Sequence, residues 1–409
     1  MTSTFEGLAA AGVAVWLDDL SRPKVTSGDL SRMVSSGTIV GITTNPTIFS
    51  KSISAGSGYE TQLRELALRG TAIGETLRLL TAWDVRAACD MLRPVYDRTL
   101  GRDGRVSIEV DPRISADAER TAAEARGLWW LVDRPNLFIK IPATEAALPA
   151  ITASIADGIS VNVTLIFSID RYQAVLDAFM AGLEQRLARG ADLAGIESVA
   201  SFFVSRVDIE VDKRLDSLPN AVDGDARARL HGEAALANAR LAYQVYEAAA
   251  ASARWRALAA KGASLQRLLW ASTGVKDKAF APTRYVTELV ARDTVNTMPE
   301  ATLDALGELN EAVPDTISSR YSDARQTIDE LATLGIDLSD VAELLERDGL
   351  ASFVRSWNDL IASVEDQLRN AGAEVMPAGA VKPASGDVAA TDAPAAAAPE
   401  ETATSVRQQ

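Results

Sequence analysis

The sequence predicts an α/β fold of the (β/α)8, or TIM-barrel, class, with additional helices and a disordered C-terminal tail. Three observations carry that expectation. Eight short apolar runs recur along the chain, over 12–17, 38–43, 105–110, 137–141, 159–166, 199–204, 268–272 and 294–298. Their near-continuous apolar character suits strands buried on both faces, as in a parallel sheet. The stretches between them carry helical periodicity: Tyr172, Val175, Leu176, Phe179, Met180, Leu183 and Leu187 mark one face of Ser168–Arg189, at helical spacing. Finally, the 33 residues from Pro377 to Gln409 include 11 Ala, 4 Pro and no aromatic. Such a segment cannot bury enough apolar surface to offset chain entropy.

The elements follow in order. GVAVWL (12–17) and TIVGIT (38–43) open the barrel. A plain barrel repeats every ~30 residues, so the jump from 38 to 105 requires inserted helices. RVSIEV (105–110) follows the turn Gly101-Arg102-Asp103-Gly104, which lacks the spacing and the Lys-Ser/Thr of a phosphate-binding loop. LFIKI, ISVNVTLI and VASFFV keep a closer spacing. A second long interval precedes LLWAS (268–272), and TVNTM (294–298) completes the set. Pro299–Asn370 reads as helices that close or cover the barrel. Trp129 and Trp130 are expected to anchor a helix against it, and Cys89 to be a small core residue. His231, in the long Ala- and Arg-rich helical stretch 226–254, is expected to be solvated or capping. The catalytic domain is placed at 1–372 and the tail at 373–409.

Composition narrows the chemistry. The 409 residues carry 41 Lys plus Arg against 56 Asp plus Glu, a formal charge of −15. That charge disfavours generic nucleic-acid or anionic-membrane partners, and any anionic substrate must find a local positive site. One cysteine and one histidine exclude a disulfide framework and Cys- or His-rich metal sites, and fit a reducing, cytoplasmic compartment. No apolar run approaches transmembrane length, and the N-terminus lacks signal-peptide character. Catalysis must draw mainly on Lys, Asp, Glu and hydroxyl groups, with no metal or other cofactor expected.

The polar interruptions of the runs are the functional signal. Barrel strands turn every second residue inward, and active sites occupy the C-terminal strand ends. Asp18 shares a parity with Ala14 and Trp16; Thr43 and Asn45, Ser107 and Glu109, Phe138 and Lys140, Asn162 and Thr164, and Ser201 and Phe203 pair likewise. Six runs can therefore each place a polar group on the inner face. Asp19 has the opposite parity to Asp18, so only one of them points inward. Glu109 and Asp111 share a parity, so both can face the mouth. Lys140, flanked by apolar residues, is expected to be desolvated, which depresses an amine's pKa and makes it a nucleophile for a carbonyl. The alternative is a lysine that snorkels from the strand end or pairs structurally with Asp18 or Glu109.

At these residues the chain resembles the transaldolase family. The resemblance rests on Val15–Arg22 (VWLDDLSR), Gly41–Phe49 (GITTNPTIF), Ser107–Arg113 (SIEVDPR), Phe138–Thr144 (FIKIPAT), Val161–Ser168 (VNVTLIFS), Ser201–Asp208 (SFFVSRVD) and Trp270–Lys276 (WASTGVK). It implies that Lys140 forms a Schiff base with a ketose phosphate and that Asp18 takes the proton from the C4 hydroxyl. Glu109 and Thr164 would hold a proton-shuttling water. Asn45 and Asn162 would bind the dihydroxyacetone unit beside Thr43. Ser201 and Arg206 would grip the phosphate, with Phe203 lining the site. Members of the family use a second arginine near the seventh run; here Lys276, past that run's end, is preferred to Arg267, which precedes it. Ketose and aldose phosphates are the implied partners, and the oligomeric state is left open. A Schiff-base aldolase releasing free dihydroxyacetone and a catalytically inert sugar-phosphate-binding barrel are the alternatives.

Overall fold

The computed structural model describes residues 3–219, 224–309 and 313–375. Its strands are β1 (Val13–Leu17), β2 (Gly41–Ile42), β3 (Arg105–Glu109), β4 (Leu137–Pro142), β5 (Val161–Ile166), β6 (Ser198–Phe203), β7 (Arg267–Ala271) and β8 (Thr294–Met298). They are parallel and close into a barrel in chain order, with β8 returning to β1. Each expected run overlaps one strand, to within a residue or two at its ends except at the short β2. β2 is the short one, because the chain turns through Gly37 before it and enters a helix at Pro46 after it. The amides of Val40 and Thr43 still donate to Val15 and Leu17 of β1, each at 2.9 Å.

Both long intervals hold extra helices, as the spacing predicts. Three helices border the barrel mouth: α1 (Pro46–Ser54), α2 (Ser205–Asp216) and α3 (Leu338–Val375). The stretch 226–254 is not one helix. It breaks at His231–Glu233, where Gly232 takes a left-handed φ of 73°, a conformation that costs glycine little. His231 is half-buried there, 3.5 Å from Asp212 and stacked on Phe280. α3 continues through 373–375, residues assigned to the tail; the rest of that assignment, 376–409, lies outside the described residues. Among the described residues, no helix is long and apolar enough to cross a membrane.

The interior is graded from a sealed floor to a polar mouth. Trp16 and Phe138 are fully buried with ring centroids 6.1 Å apart. A Cβ on Gly41 would lie 2.4 Å from the Trp16 ring, so the smallest residue on β2 makes room for the largest on β1. Below them Arg105 is fully buried; its guanidinium stacks on Phe138 and donates to the carbonyl oxygens of Gly101 and Pro135. Cys89 is fully buried, as expected. Trp129 packs against the core, but Trp130 is 71% exposed, because successive helical residues point about 100° apart.

α3 lies against the mouth. It runs beside α1, joined to it by hydroxyl contacts of 2.8 Å between Thr47 and Ser356 and between Ser54 and Ser363. At Gly349 it approaches β5 so closely that a Cβ there would lie 3.2 Å from Leu165. The sequence places a glycine where the helix crosses the strand end.

Candidate active site

A cavity of about 300 Å3 opens at the C-terminal ends of the strands, where barrel enzymes carry their chemistry. The strand ends and the loop after β2 supply Asp18, Thr43, Asn45, Lys140 and Thr164. Ser201, Phe203 and Arg206 follow from β6 and α2.

Lys140 lies at the floor, 5% exposed. Its Nζ donates to the Thr44 carbonyl oxygen at 2.6 Å and lies 3.2 Å from Glu109 Oε1. The sheet register sets that pair directly, with Glu109 opposite Lys140 across β3 and β4. The other Glu109 oxygen, Oε2, accepts from the Thr44 hydroxyl at 2.9 Å. Oε1 is within ion-pair distance of the amine but out of hydrogen-bond alignment. It and Thr164 Oγ1 are therefore buried polar atoms without a hydrogen-bond partner in the protein. Such atoms are costly in an inert core and mark a place for a polar guest. Burial pushes the Glu109 carboxyl above its ordinary value, against the pull of the Lys140 charge. The Phe353 ring of α3 closes one side, its centroid 5.9 Å from the Lys140 amine.

Asp18 leaves β1 pointing into the cavity, and its Oδ1 accepts from Thr43 Oγ1 at 2.8 Å. Thr43 in turn shares a 2.5 Å hydrogen bond with Thr297 of β8. Asp19 turns the other way, to Lys24 at 3.4 Å, as strand parity requires. Asp111 does not reach the mouth. β3 ends at Glu109, and Asp111 instead caps the short 3-10 turn at Pro112–Ile114 and pairs with Arg113 at 2.6 Å.

Four expected binding residues sit differently from their assignments. Asn45 lines the cavity, but its Oδ1 caps α1 by accepting from the Ile48 amide at 3.1 Å; its amide nitrogen remains the donor. Asn162 lies beneath the cavity rather than on its wall, fully buried. Its Nδ2 donates to Ser107 Oγ at 3.1 Å and its Oδ1 accepts from Ser201 Oγ at 2.7 Å. Ser201 thus commits its only hydroxyl hydrogen to Asn162 and presents an acceptor. A phosphate offers acceptors alone, so this bonding suits a sugar hydroxyl better than the phosphate assigned to Ser201. Lys276 is exposed and absent from the cavity lining; its Nζ lies beside Gly274. The chain leaving β7 turns through Ser272 with a left-handed φ of 57°, and the lysine ends on the outside. Arg267 is at the opposite end of β7, paired with Asp103 at 2.9 Å.

Arg206 stands in the first turn of α2, half-buried, its guanidinium 5.1 Å from the Phe203 ring centroid. Burial lowers its proton affinity and the Asp18 charge raises it. No side chain caps α2, and although the Ser205 amide donates to the Ser272 carbonyl and the Val207 amide to that of Val204, the positive dipole end of the helix accompanies the arginine. Ser205 and Ser272 join β6 to β7 beside it through a 3.0 Å hydroxyl contact.

One strand end is bent. Leu165 takes a φ of 65°, and the pairing of β5 with β6 shifts between Val163 and Ile166. A bulge of this kind re-aims side chains next to functional sites, and the backbone strain is of order ~1–3 kcal/mol. Here it adjoins Thr164.

Sequence reasoning missed Lys51, Ser272, Thr297, Ser352 and Phe353, all of which line the cavity. Thr297 follows Val295 at strand parity and was legible in principle. Lys51 lies one helical turn beyond Thr47, also a usable signal. Phe353 and Ser352 arrive on α3, and no local pattern connects them to the barrel. Among the described residues, no group of three or more His, Cys, Asp or Glu is placed to hold a metal ion.

A family model described as Transaldolase/Fructose-6-phosphate aldolase matches residues 15–364. The chain is 57% identical to a transaldolase of Thermobifida fusca, over 90% of this chain and 99% of that one. It is 56% identical to a transaldolase of a Parafrankia species, over 91% and 100%. It is also 56% identical to transaldolase 2 of Streptomyces coelicolor, over 90% and 98%.

Proposed function

The chain belongs to the transaldolase/fructose-6-phosphate aldolase family, and from that premise we propose that it is a transaldolase of the pentose phosphate pathway. It moves a dihydroxyacetone unit from sedoheptulose 7-phosphate to glyceraldehyde 3-phosphate, yielding erythrose 4-phosphate and fructose 6-phosphate. The observation that carries this reading is the Lys140 amine at the cavity floor, 3.2 Å from Glu109, with Asp18 lining the same cavity.

The amine attacks the ketose C2 carbonyl, and the carbinolamine loses water to become an iminium. Glu109 and Thr164 are suited to pass protons through a water, because each keeps a buried, unpartnered oxygen there. Asp18 takes the proton of the C4 hydroxyl. The C3–C4 bond then breaks, its electron pair flows into the iminium, and the aldose phosphate leaves. The three-carbon enamine stays bound to Lys140 until an acceptor aldehyde arrives. Its carbon attacks the aldehyde, the new hydroxyl regains the proton from Asp18, and hydrolysis frees the product ketose. The iminium is the electron sink, so the chemistry calls for no metal or other cofactor. Asn45 donates to the dihydroxyacetone unit, Ser201 accepts from one of its hydroxyls, and Asn162 holds Ser201. Arg206, with the start of α2, receives the phosphate by charge-assisted hydrogen bonds. We place the reaction in the cytoplasm, where a single buried cysteine suits a reducing setting.

A coupled assay of exchange between the two phosphorylated sugars tests the reading. Formation of both erythrose 4-phosphate and fructose 6-phosphate is expected. Release of free dihydroxyacetone without transfer would make the chain an aldolase instead.

A further inference from the structure

We propose that Lys51 is the second cation that receives the substrate phosphate, opposite Arg206 across the cavity mouth. The inference deepens the transaldolase reading and rests on it.

Three cationic side chains line the cavity: Lys51, Lys140 and Arg206. Lys140 is committed at the floor, to Glu109 and the Thr44 carbonyl. A phosphate monoester carries about −1.5 to −2 charge at neutral pH, and the chain as a whole carries −15. One half-buried guanidinium neutralises about half of the ligand's charge. Lys51 is the remaining cation of the cavity lining, and it is exposed.

The local structure delivers it there. Thr47, Ile48 and Lys51 all line the cavity and share a face of α1. Helical side chains lean toward the helix N-terminus, and the N-terminus of α1 is Asn45, itself a cavity residue. The stem of Lys51 is therefore carried back toward the mouth. Neighbouring cations are spoken for: Lys24 pairs with Asp19 and Glu300, and Arg113 with Asp111. Lys51 makes no ion pair among the described residues. A cation kept unpaired at the rim of an anion's cavity is available to the anion.

Position fits the substrate. The ketose C2 must reach Lys140 at the floor, so the terminal phosphate lies toward the rim. α1 follows β2 and α2 follows β6, on opposite sides of the eight-stranded ring. The guanidinium fork of Arg206 and the ammonium of Lys51 then approach the phosphate from two sides. Lys276, the expected partner, is exposed outside the cavity.

The test uses the full chain with Lys51→Gln, Lys51→Arg and Lys276→Gln. Steady-state rates are measured with fructose 6-phosphate and with fructose as donors, and inorganic phosphate is titrated as a competitor. Lys51→Gln should raise KM for fructose 6-phosphate about ten-fold, the effect of one charge-assisted contact at an exposed rim. Its kcat should stay within about two-fold, the signature of lost uniform binding. Inhibition by phosphate should weaken in parallel, and kcat/KM for fructose should not change. Lys51→Arg should restore KM to within about three-fold. An unchanged KM in Lys51→Gln, an equal loss on both donors, or a larger KM rise in Lys276→Gln would overturn the inference and leave the transaldolase reading standing. A wild-type chain that cannot use fructose 6-phosphate would overturn the reading beneath it.

Discussion

Lys140→Ala should lower the transferase rate by more than about four orders of magnitude, because in the proposed mechanism it deletes the nucleophile and with it the electron sink for C–C cleavage. No neighbouring amine can take over. Lys51 stands at the rim, and Arg206 is a guanidinium, which stays protonated. The variant should still fold. Removing one member of a buried ion pair is commonly expensive, about 3–5 kcal/mol, because a charge is left uncompensated. Glu109 limits that cost here: burial already raises its proton affinity, so without Lys140 it takes up a proton and remains neutral. The barrel core beneath, built on Trp16, Phe138 and Arg105, is untouched. Circular dichroism and denaturant unfolding should therefore report a native, moderately destabilised protein with no turnover. A variant that still turns over would remove Lys140 from its role; one that fails to fold is replaced by Lys140→Met, which fills the volume.

Glu109→Gln has the second largest expected effect. The side chain keeps its shape and can still bond Thr44, but it can no longer exchange a proton beside the amine. Positioned acid–base groups contribute about 10²–10⁴-fold, so kcat should fall within that range while KM changes little. The pH profile gives the sign. A carboxyl whose proton affinity is raised by burial loses its charged form at a higher pH than an ordinary glutamate. If the carboxylate is the working form, the acid limb of the wild-type rate lies above the ordinary glutamate range, activity falling as pH drops through it. The residual activity of Glu109→Gln should lack that limb and persist to lower pH. An identical limb in both proteins would assign it to another group.

The barrel was legible because its strands are buried on both faces, and burial writes itself as contiguous apolar runs. Polar residues at strand parity then exposed the floor of the site: Asp18, Glu109, Lys140 and Thr164 lie where alternation puts them. Alternation fails once a strand ends, which is why Asp111 turns to Arg113 and why Lys276, several residues past β7, misses the cavity. It also carries no information about hydrogen-bond direction. Ser201 has the right parity, but only the 2.7 Å bond to Asn162 reveals that it offers an acceptor. The bulge at Leu165 breaks the alternation beside Thr164 and shifts the pairing of β5 with β6, without any glycine to announce it. Phe353 was out of reach altogether, since its place over Lys140 depends on how α3 docks, through Gly349 and the hydroxyl contacts with α1.

Borohydride trapping most directly tests the central claim, that the Lys140 amine is the covalent catalyst. The wild-type chain, incubated with fructose 6-phosphate and reduced, should gain the mass of one reduced dihydroxyacetone unit, mapped to the peptide containing Lys140 and absent from Lys140→Ala. A wild-type chain that gains no mass while turning over substrate, or an adduct mapped to a different lysine, would contradict it.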